Sequence, residues 1–451
     1  MDNKSLDMTH GSPVRHLIVF AIPMLIGNLF QQVYNLADSI IVGQLVGSDA
    51  LAAIGVTGSI TFLFFALCNG IASGGSIISS QYFGSGDKAS VKSCIANTGY
   101  IMFFFPLVVG VIAFLLAPPL LRLLDTPAAI WDDSLVYTRI MCVGLLFVSL
   151  YNFVSAMLRS LGDSKTPLYF LIFSCLLNVV LDILFVTVFH AGVAGAGYAT
   201  VISQFVSGIS CMIYAVKTNS YFRITREEMA INPLVISKTL KLGIPMSLQF
   251  SLIAISCMAL QKVVNSYGAV AVAAFTATSR IEQLIHMPYQ TLGSSLSTYC
   301  GQNYGANKHD RVLLGYRKSM IMMTILTIIM LPFMQLFGQA ITSLFVKDAD
   351  VIIMGGKALQ ISSWFYIFLG VIYMVRGILN GVGDALFALI NGIVEVIGRF
   401  TVPLLMTSVL GYGVWGIWIS VGIVWFISGA TAYIRYLKYY RYAKKKISEA
   451  A

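Results

Sequence analysis

Twelve long apolar stretches, separated by short charged or Gly/Pro-rich breaks, leave this chain few ways to fold. They lie near residues 14–46, 52–80, 94–118, 131–160, 167–189, 193–216, 236–266, 270–300, 313–338, 355–381, 385–409 and 413–437. A bilayer core about 30 Å thick needs roughly 20 apolar residues for one helical crossing, and each stretch is long enough. A membrane barrel would show alternating apolar and polar residues over about ten positions, whereas these runs are continuously apolar. The expected fold class is therefore all-α integral membrane, with twelve transmembrane helices. Composition agrees, since 57% of the 451 residues are hydrophobic and 11% are charged, against about a quarter charged in soluble domains. The polar N-terminus runs into a stretch too long for a cleaved leader and lacks a small-residue cleavage site, so the first segment should stay as a membrane helix.

Positive charge gathers on alternate connections. With the N-terminus inside, the inner connections hold Lys4, Arg15, Lys88, Lys92, Arg159, Lys165, Lys217, Arg223, Arg226, Lys238, Lys241, Lys308, Arg311, Arg317, Lys318 and the Arg435 to Lys446 tail; the outer ones hold Arg122, Arg139, Lys347 and Lys357. This predicts a multi-pass protein of the plasma (inner) membrane with both termini cytoplasmic. The formal charge of +10 then reflects contact with anionic membrane lipids and not with nucleic acid. The seven cysteines are odd in number and scattered, mostly inside apolar runs; they suit small buried hydrophobes better than a disulfide framework.

An internal repeat divides the chain. AIPM from Ala21 recurs as GIPM from Gly243, SQYFGSGD from Ser80 as GQNYGANK from Gly301, LRSLGD from Leu158 as LNGVGD from Leu379, and GVAG from Gly192 as GVWG from Gly413. The offsets 302 − 81, 383 − 162 and 413 − 192 are all 221, and Pro23 to Pro245 gives 222. Two copies of a six-helix unit enter the membrane from the same side, so the expected symmetry is a pseudo-two-fold axis along the membrane normal. The polar stretch 218–235 is the expected cytoplasmic linker between an N-terminal lobe, 1–217, and a C-terminal lobe, 236–451.

Four acids fall inside the predicted helices away from their ends: Asp38, Asp182, Glu282 and Glu395. A carboxylate at membrane depth costs roughly 2.5 to 3.5 kcal/mol even on insertion scales, so each needs a reason. Asn178 and Asp182 are one turn apart on one helix face. Counting residues from the helix ends at 1.5 Å each, Asp38, Asp182 and Thr200 all lie roughly 10 to 12 Å below the outer boundary. Two carboxyls converging in low dielectric cannot both stay ionised unless a cation joins them, so at least one carries a proton or shares a metal ion. Oxygens from Asp38, Asn178, Asp182 and Thr200 suit Na⁺, and either acid alone suits H⁺. The bland alternative is that each acid is hydrogen-bonded between helices as a structural residue.

The offset carries Ser174, Asn178 and Asp182 onto Glu395, Arg399 and Pro403. The second copy is thus expected to hold a self-neutralising Glu395–Arg399 pair, within a polar network that includes Arg280 and Glu282. Phosphate-loop and zinc-hydrolase patterns are absent, so no enzyme, no ATP-driven step and no cofactor beyond a coupling ion are expected.

Together these residues resemble the multidrug and toxic compound extrusion (MATE) transporters, and among them the prokaryotic DinF-type branch. The resemblance covers nearly the whole chain and rests on VYNLADSIIVGQLVG with Pro23 fifteen residues before Asp38, on LLNVVLD, and on GVAGAGYATVIS. It implies a cation site at Asp38, Asn178, Asp182 and Thr200. It also implies two six-helix lobes around a central cavity, with H⁺ or Na⁺ antiport driving export of cationic amphipathic compounds. Other branches use acids in helices 7 and 10, and this sequence has none in the bodies of those helices.

Further expectations concern substrate and motion. Gln31, Tyr34, Asn35, Asn152, Met157, Gln204 and Gln283 are candidate substrate-cavity residues, because amides with aromatic and Met surface make an adaptable pocket. Pro23 is expected to let the first helix bend, and the protein is expected to act as a monomer. The main rival is a flippase for a lipid-linked saccharide or related polar lipid, which would want more cavity-facing Lys and Arg than this chain has. A membrane-embedded enzyme or receptor would need a catalytic constellation or sensing domain, and no soluble segment is long enough for either.

Overall fold

The computed structural model describes residues 5–450, except for the side chains at 254, 255, 257–259, 385 and 450. Lys4 and the side chain of Cys257 therefore lie outside the described residues. Within them the regular structure is entirely helical: α1 (Pro13–Leu45), α2 (Ser48–Gly84), α3 (Lys88–Leu123), α4 (Trp131–Ser160), α5 (Lys165–Ile183), α6 (Gly192–Thr218), α7 (Pro233–Asn265), α8 (Ala269–Gly305), α9 (His309–Ser343), α10 (Ala349–Ser363), α11 (Tyr366–Gly381), α12 (Ala385–Leu404) and α13 (Trp415–Ala450). The twelve expected segments are all present, six per half, once α10 and α11 are taken as one bent span. Nine helices, or ten with that pair, are long and apolar enough to cross a membrane among the described residues. The protein is an all-α, multi-pass membrane protein of twelve helices. The cysteines at 68, 94, 142, 211 and 300 are buried and unpaired, as the scattered spacing implied, and Cys175 is half-buried.

Two departures from the expected segments have local causes. The tenth is broken by 53° between α10 and α11. Gln335 of α9 donates to the Gln360 carbonyl at 2.8 Å and to Ser363 Oγ at 2.7 Å. It thereby takes an acceptor that an unbroken helix offers to residue 364, and the chain closes instead with a tight turn from Phe365 N–H to Ser362 O at 2.9 Å. A side chain inserted into the helical ladder is a recognised cause of a kink. The last helix continues past residue 437 to 450, because Tyr436 and Tyr442 stack on Tyr316 and His309 of α9 and keep a packed face beyond the apolar run.

The repeat is written into the backbone. Left-handed φ values occur at Gly47 and Gly268, Gly86 and Asn307, Gly162 and Gly383, His190 and Gly411, and Gly192 and Gly413, and every pair is separated by 221. The π-helical turns Leu184–Val188 and Leu405–Val409 that extend α5 and α12 show the same spacing. At Gly162 the conformation and the space both matter. A Cβ there would meet the Leu6 carbonyl oxygen at 2.4 Å.

The chain forms two compact units, residues 1–7 with 22–247 and residues 8–21 with 248–451. Neither unit coincides with a simple cut at the linker. α1 changes unit between Ala21 and Ile22, beside Pro23, and α7 changes between Ser247 and Leu248, two residues past Pro245. The segment before each of these helices is tied to its unit through polar contacts. In one, Lys92 of α3 pairs with Glu228 at 3.0 Å, Tyr100 donates to the Met229 carbonyl at 2.9 Å, and Asn97 accepts from Asn232 N–H at 2.8 Å. In the other, Met8 N–H donates to Gln302 Oε1 at 2.9 Å, and its carbonyl accepts from Asn303 at 3.2 Å and from Arg311 at 3.0 Å. Met8 and Met229 are again 221 apart.

The Glu228 carboxyl is held below its ordinary value of 4.5, chiefly by the Thr225 N–H and then by Lys92. A lowered value in the folded state means that the interaction is fully present above pH 4.5 and is lost as pH falls through the lower folded value. Hydrogen exchange at residues 225–232 is therefore expected to stay slow near neutrality and to rise as pH falls below the ordinary carboxyl value of 4.5 and through the lower folded one, with Lys92→Ala raising it already at pH 7.

Within the second unit α8 and α11 approach at backbone distance. A Cβ on Gly377 would lie 2.6 Å from the Gly293 carbonyl oxygen, and that neighbour is main chain that cannot swing aside. Gly377→Val is expected to cost about 1 to 3 kcal/mol through overpacking, visible as a lower midpoint in thermal unfolding; an unchanged midpoint would show that the two helices can part.

Candidate functional site

α1, α4, α5 and α6 each send one or two polar side chains to a single buried place in the first unit. Asp182 is fully buried and Asn178, one turn away, is 1% exposed. The Asn178 amide is oriented so that its nitrogen faces the carboxyl, since the reverse would set oxygen against oxygen. It then donates to Asp182 Oδ2 at 2.7 Å and accepts from Thr200 N–H at 3.1 Å. From α1 the Asp38 carboxyl comes within hydrogen-bonding reach of Asp182, and the Tyr34 hydroxyl lies 3.3 Å from Thr200 Oγ1. The structure thus brings together the four residues singled out as a cation site. Asp38 Oδ1 and Asp182 Oδ1 are buried and have no hydrogen-bond partner in the protein.

Local sequence explains the placement. The i, i+4 spacing aligns Tyr34 with Asp38 and Asn178 with Asp182 on one face each. α6 begins with the small residues of GVAGAG, whose buried glycines and alanines let it lie close to its neighbours; a Cβ on Gly197 would already be 3.1 Å from Ile140 of α4. Asp38 and Thr200 are half-buried, and two carboxyls meeting in low dielectric bind a proton between them or take a small cation. The Tyr34 and Thr200 hydroxyls stand beside the carboxyls, while the Asn178 amide oxygen is turned to Thr200 N–H; carboxyl and hydroxyl oxygens are the ligand type a hard ion such as Na⁺ takes.

Sequence reasoning missed Tyr137 of α4, which is 7% exposed and stands within interaction range of both Asp38 and Asp182. Its one signal is its position in WDDSLVYTRIM, three residues after Ser134, on a helix face whose hydroxyls are buried. Tyr34, a candidate cavity residue, stands beside Thr200 in this cluster.

The other expected cavity residues differ in exposure. Gln31, Asn152 and Gln204 are half-buried, and Asn35 and Gln283 are exposed. Met157 is corrected: it is fully buried in the hydrophobic core of the first unit, among Ile71, Leu145, Val154 and Leu158, and lines no opening. An apolar side chain gives no sign in sequence of whether it faces a cavity or a core.

The expected Glu395–Arg399 partnership is also corrected. Glu395, 4% exposed, forms its ion pair with Arg376 of α11. Arg376 Nε donates to Asn391 Oδ1 at 2.7 Å, so one guanidinium spans the two α12 residues that lie one turn apart. Asn391 in turn donates to Ser428 Oγ at 2.7 Å. A planar fork arriving from a neighbouring helix satisfies both groups at once, which a residue on α12 itself cannot do. Arg280 is exposed, whereas Glu282 and His286 turn inward on α8.

Comparison with known proteins fits this geometry. A family model described as MatE matches twice, at residues 23–184 and 245–404, once in each half of the repeat. The chain is 32% identical over 449 residues to the "Probable multidrug resistance protein YpnP" of Bacillus subtilis, covering 98% of both chains. It is 23% identical over 423 residues to the "Multidrug export protein MepA" of Staphylococcus aureus, covering 92% of both. Among solved structures it superposes on a MATE protein in the bent conformation with TM-score 0.93, at 23% identity and 99% coverage of both chains. It also superposes on an outward-facing multidrug resistance MATE family transporter with TM-score 0.88, at 22% identity, covering 100% of this chain and 99% of that one.

Proposed function

Because the chain belongs to the MatE family of multidrug efflux transporters, we propose that it exports cationic amphipathic compounds by antiport, with H⁺ or Na⁺ as the coupling ion taken up at Asp38, Asn178, Asp182 and Thr200. The observation that carries this reading is the meeting of two carboxyls, Asp182 fully buried and Asp38 half-buried, each with a buried oxygen that has no hydrogen-bond partner in the protein. Ion entry from outside neutralises the pair. A positively charged substrate nearby loses its electrostatic attraction and is released outward, and loss of the ion to the inside restores the negative site. Binding of ion and substrate are in this way reciprocally coupled.

The orientation proposed with it has both termini cytoplasmic in the plasma membrane and one chain as the working unit. The membrane around it supplies anionic lipid for the basic inner connections. The Pro23 region, where α1 passes from one unit to the other, is the proposed place for helix 1 to bend when the carboxyls change charge.

Purified protein in vesicles of stated lipid, loaded with a cationic dye, tests the function directly. Dye movement against its gradient is expected when an inward pH or Na⁺ gradient is imposed, and the gradient that works identifies the ion. If neither gradient moves any cationic dye, the antiport reading is wrong and a lipid-linked saccharide flippase becomes the better account.

A further inference from the structure

The second unit contains a polar pocket that the proposed coupling site does not use. On α8, Glu282 and His286 lie one turn apart on the same face, and Glu282 Oε1 and His286 Nε2 are both buried without a hydrogen-bond partner in the protein. Two further side chains face them in the same condition. Ser362 of α10 and Tyr366 of α11 are fully buried, and neither Ser362 Oγ nor the Tyr366 hydroxyl has a partner. Ser362 and Tyr366 both stand within interaction range of Glu282. Buried polar atoms are almost always satisfied, and a carboxyl set among two hydroxyls and an imidazole inside the bundle, with Ser362 Oγ within hydrogen-bonding reach of it, is a place to hold a proton.

We propose that Glu282 and His286 form a second proton-binding site, in the second unit and separate from the Asp38–Asp182 pair. The charged and titratable groups around it favour a proton over a metal ion. α11 presents Tyr366, Tyr373 and Arg376; α12 presents Arg399, which acts on both Glu282 and His286, and Glu395, which is held by Arg376. α10 presents Ser362 and α13 the Trp425 ring, 5.5 Å from the His286 ring. A metal cation brought beside Arg399 would meet like charge, as would an imidazolium at His286, whereas a proton on Glu282 leaves a neutral acid that a hydroxyl or the neutral His286 ring can partner. The proposal does not depend on the role given to Asp38 and Asp182.

Infrared difference spectra between acidic and alkaline pH, recorded on the full chain in lipid with Asp38→Asn and Asp182→Asn already in place, test the site. A pH-dependent C=O band of a protonated buried carboxyl is expected to persist in that background and to vanish on adding Glu282→Gln. A band that is absent, or one that survives Glu282→Gln, overturns the proposal. Should Glu282→Gln fail to fold, the fluorescence that Trp425→Phe removes from the wild type isolates the reporter ring. A pH-dependent change in that emission, relayed by the His286 ring as Glu282 takes up its proton, is expected in the wild type and is lost in His286→Gln; a change that remains, or none in the wild type, overturns the proposal equally. Neither readout measures transport, so a failure of the antiport reading leaves this test intact.

Discussion

Asp182→Asn is expected to reduce dye efflux to the level of cells that lack the protein, and Asp38→Asn to do the same, while both variants still reach the membrane folded. Asn has the size and most of the hydrogen-bonding capacity of Asp, and the Asn178 amide can still donate to the new side-chain carbonyl. What disappears is the change of charge. A site that cannot gain or lose a proton, and has one carboxylate fewer for a metal ion, binds the coupling ion no better in one conformation than in another. An ion without differential affinity shifts no equilibrium. The measurement is accumulation and efflux of a cationic dye in cells, with surface-normalised expression. Full efflux by both variants would remove the coupling role from this pair. The same experiment with Asn178→Ala should leave a weakened rather than a dead transporter, because the charged groups remain.

Arg376→Met is expected to give the largest loss of stability of any single substitution in the second unit, about 3 to 5 kcal/mol, since it leaves the Glu395 carboxylate buried and unneutralised. Asn391 Oδ1 loses its donor at the same time, while its amide nitrogen keeps Ser428. The double variant Arg376→Met with Glu395→Leu removes both charges and should recover most of that loss, because a buried pair as a whole contributes little beyond what its two partners cost when separated. Thermal unfolding in lipid or mild detergent compares the three proteins. A single variant as stable as the wild type would show that water or another cation reaches Glu395.

How much of this was legible beforehand differs from element to element. The helices and the repeat were plain, because continuous apolar runs and motifs at a fixed offset are properties of the linear chain. The break between α10 and α11 was not, since Gln335, a residue on a different helix, supplies the amide that captures the Gln360 carbonyl. Depth arithmetic placed Asp38, Asp182 and Thr200 on one level, and the fold brings them into contact. The same arithmetic could not see Tyr137, whose hydroxyl adds little polarity to an otherwise ordinary amphipathic stretch. Glu395 was assigned to Arg399 because i, i+4 is the one pairing that proximity in sequence can propose. Its actual partner comes from another helix and is chosen by the geometry of a guanidinium that reaches two residues together.

The exchange of chain between the units also sets an order of events during synthesis. The Met8 carbonyl is bound by Asn303, 295 residues later. At roughly 5 to 20 residues per second, the first helical turns of the chain wait about 15 to 60 s before their docking surface exists. The corresponding start of α7 has no such wait, because α3, with Lys92, Asn97 and Tyr100, is already made when Glu228 and Asn232 emerge. One unit can therefore close while the ribosome is still working. The other cannot begin so early, because its segment 8–21 must be kept unengaged at the membrane until about two thirds of the chain has been made.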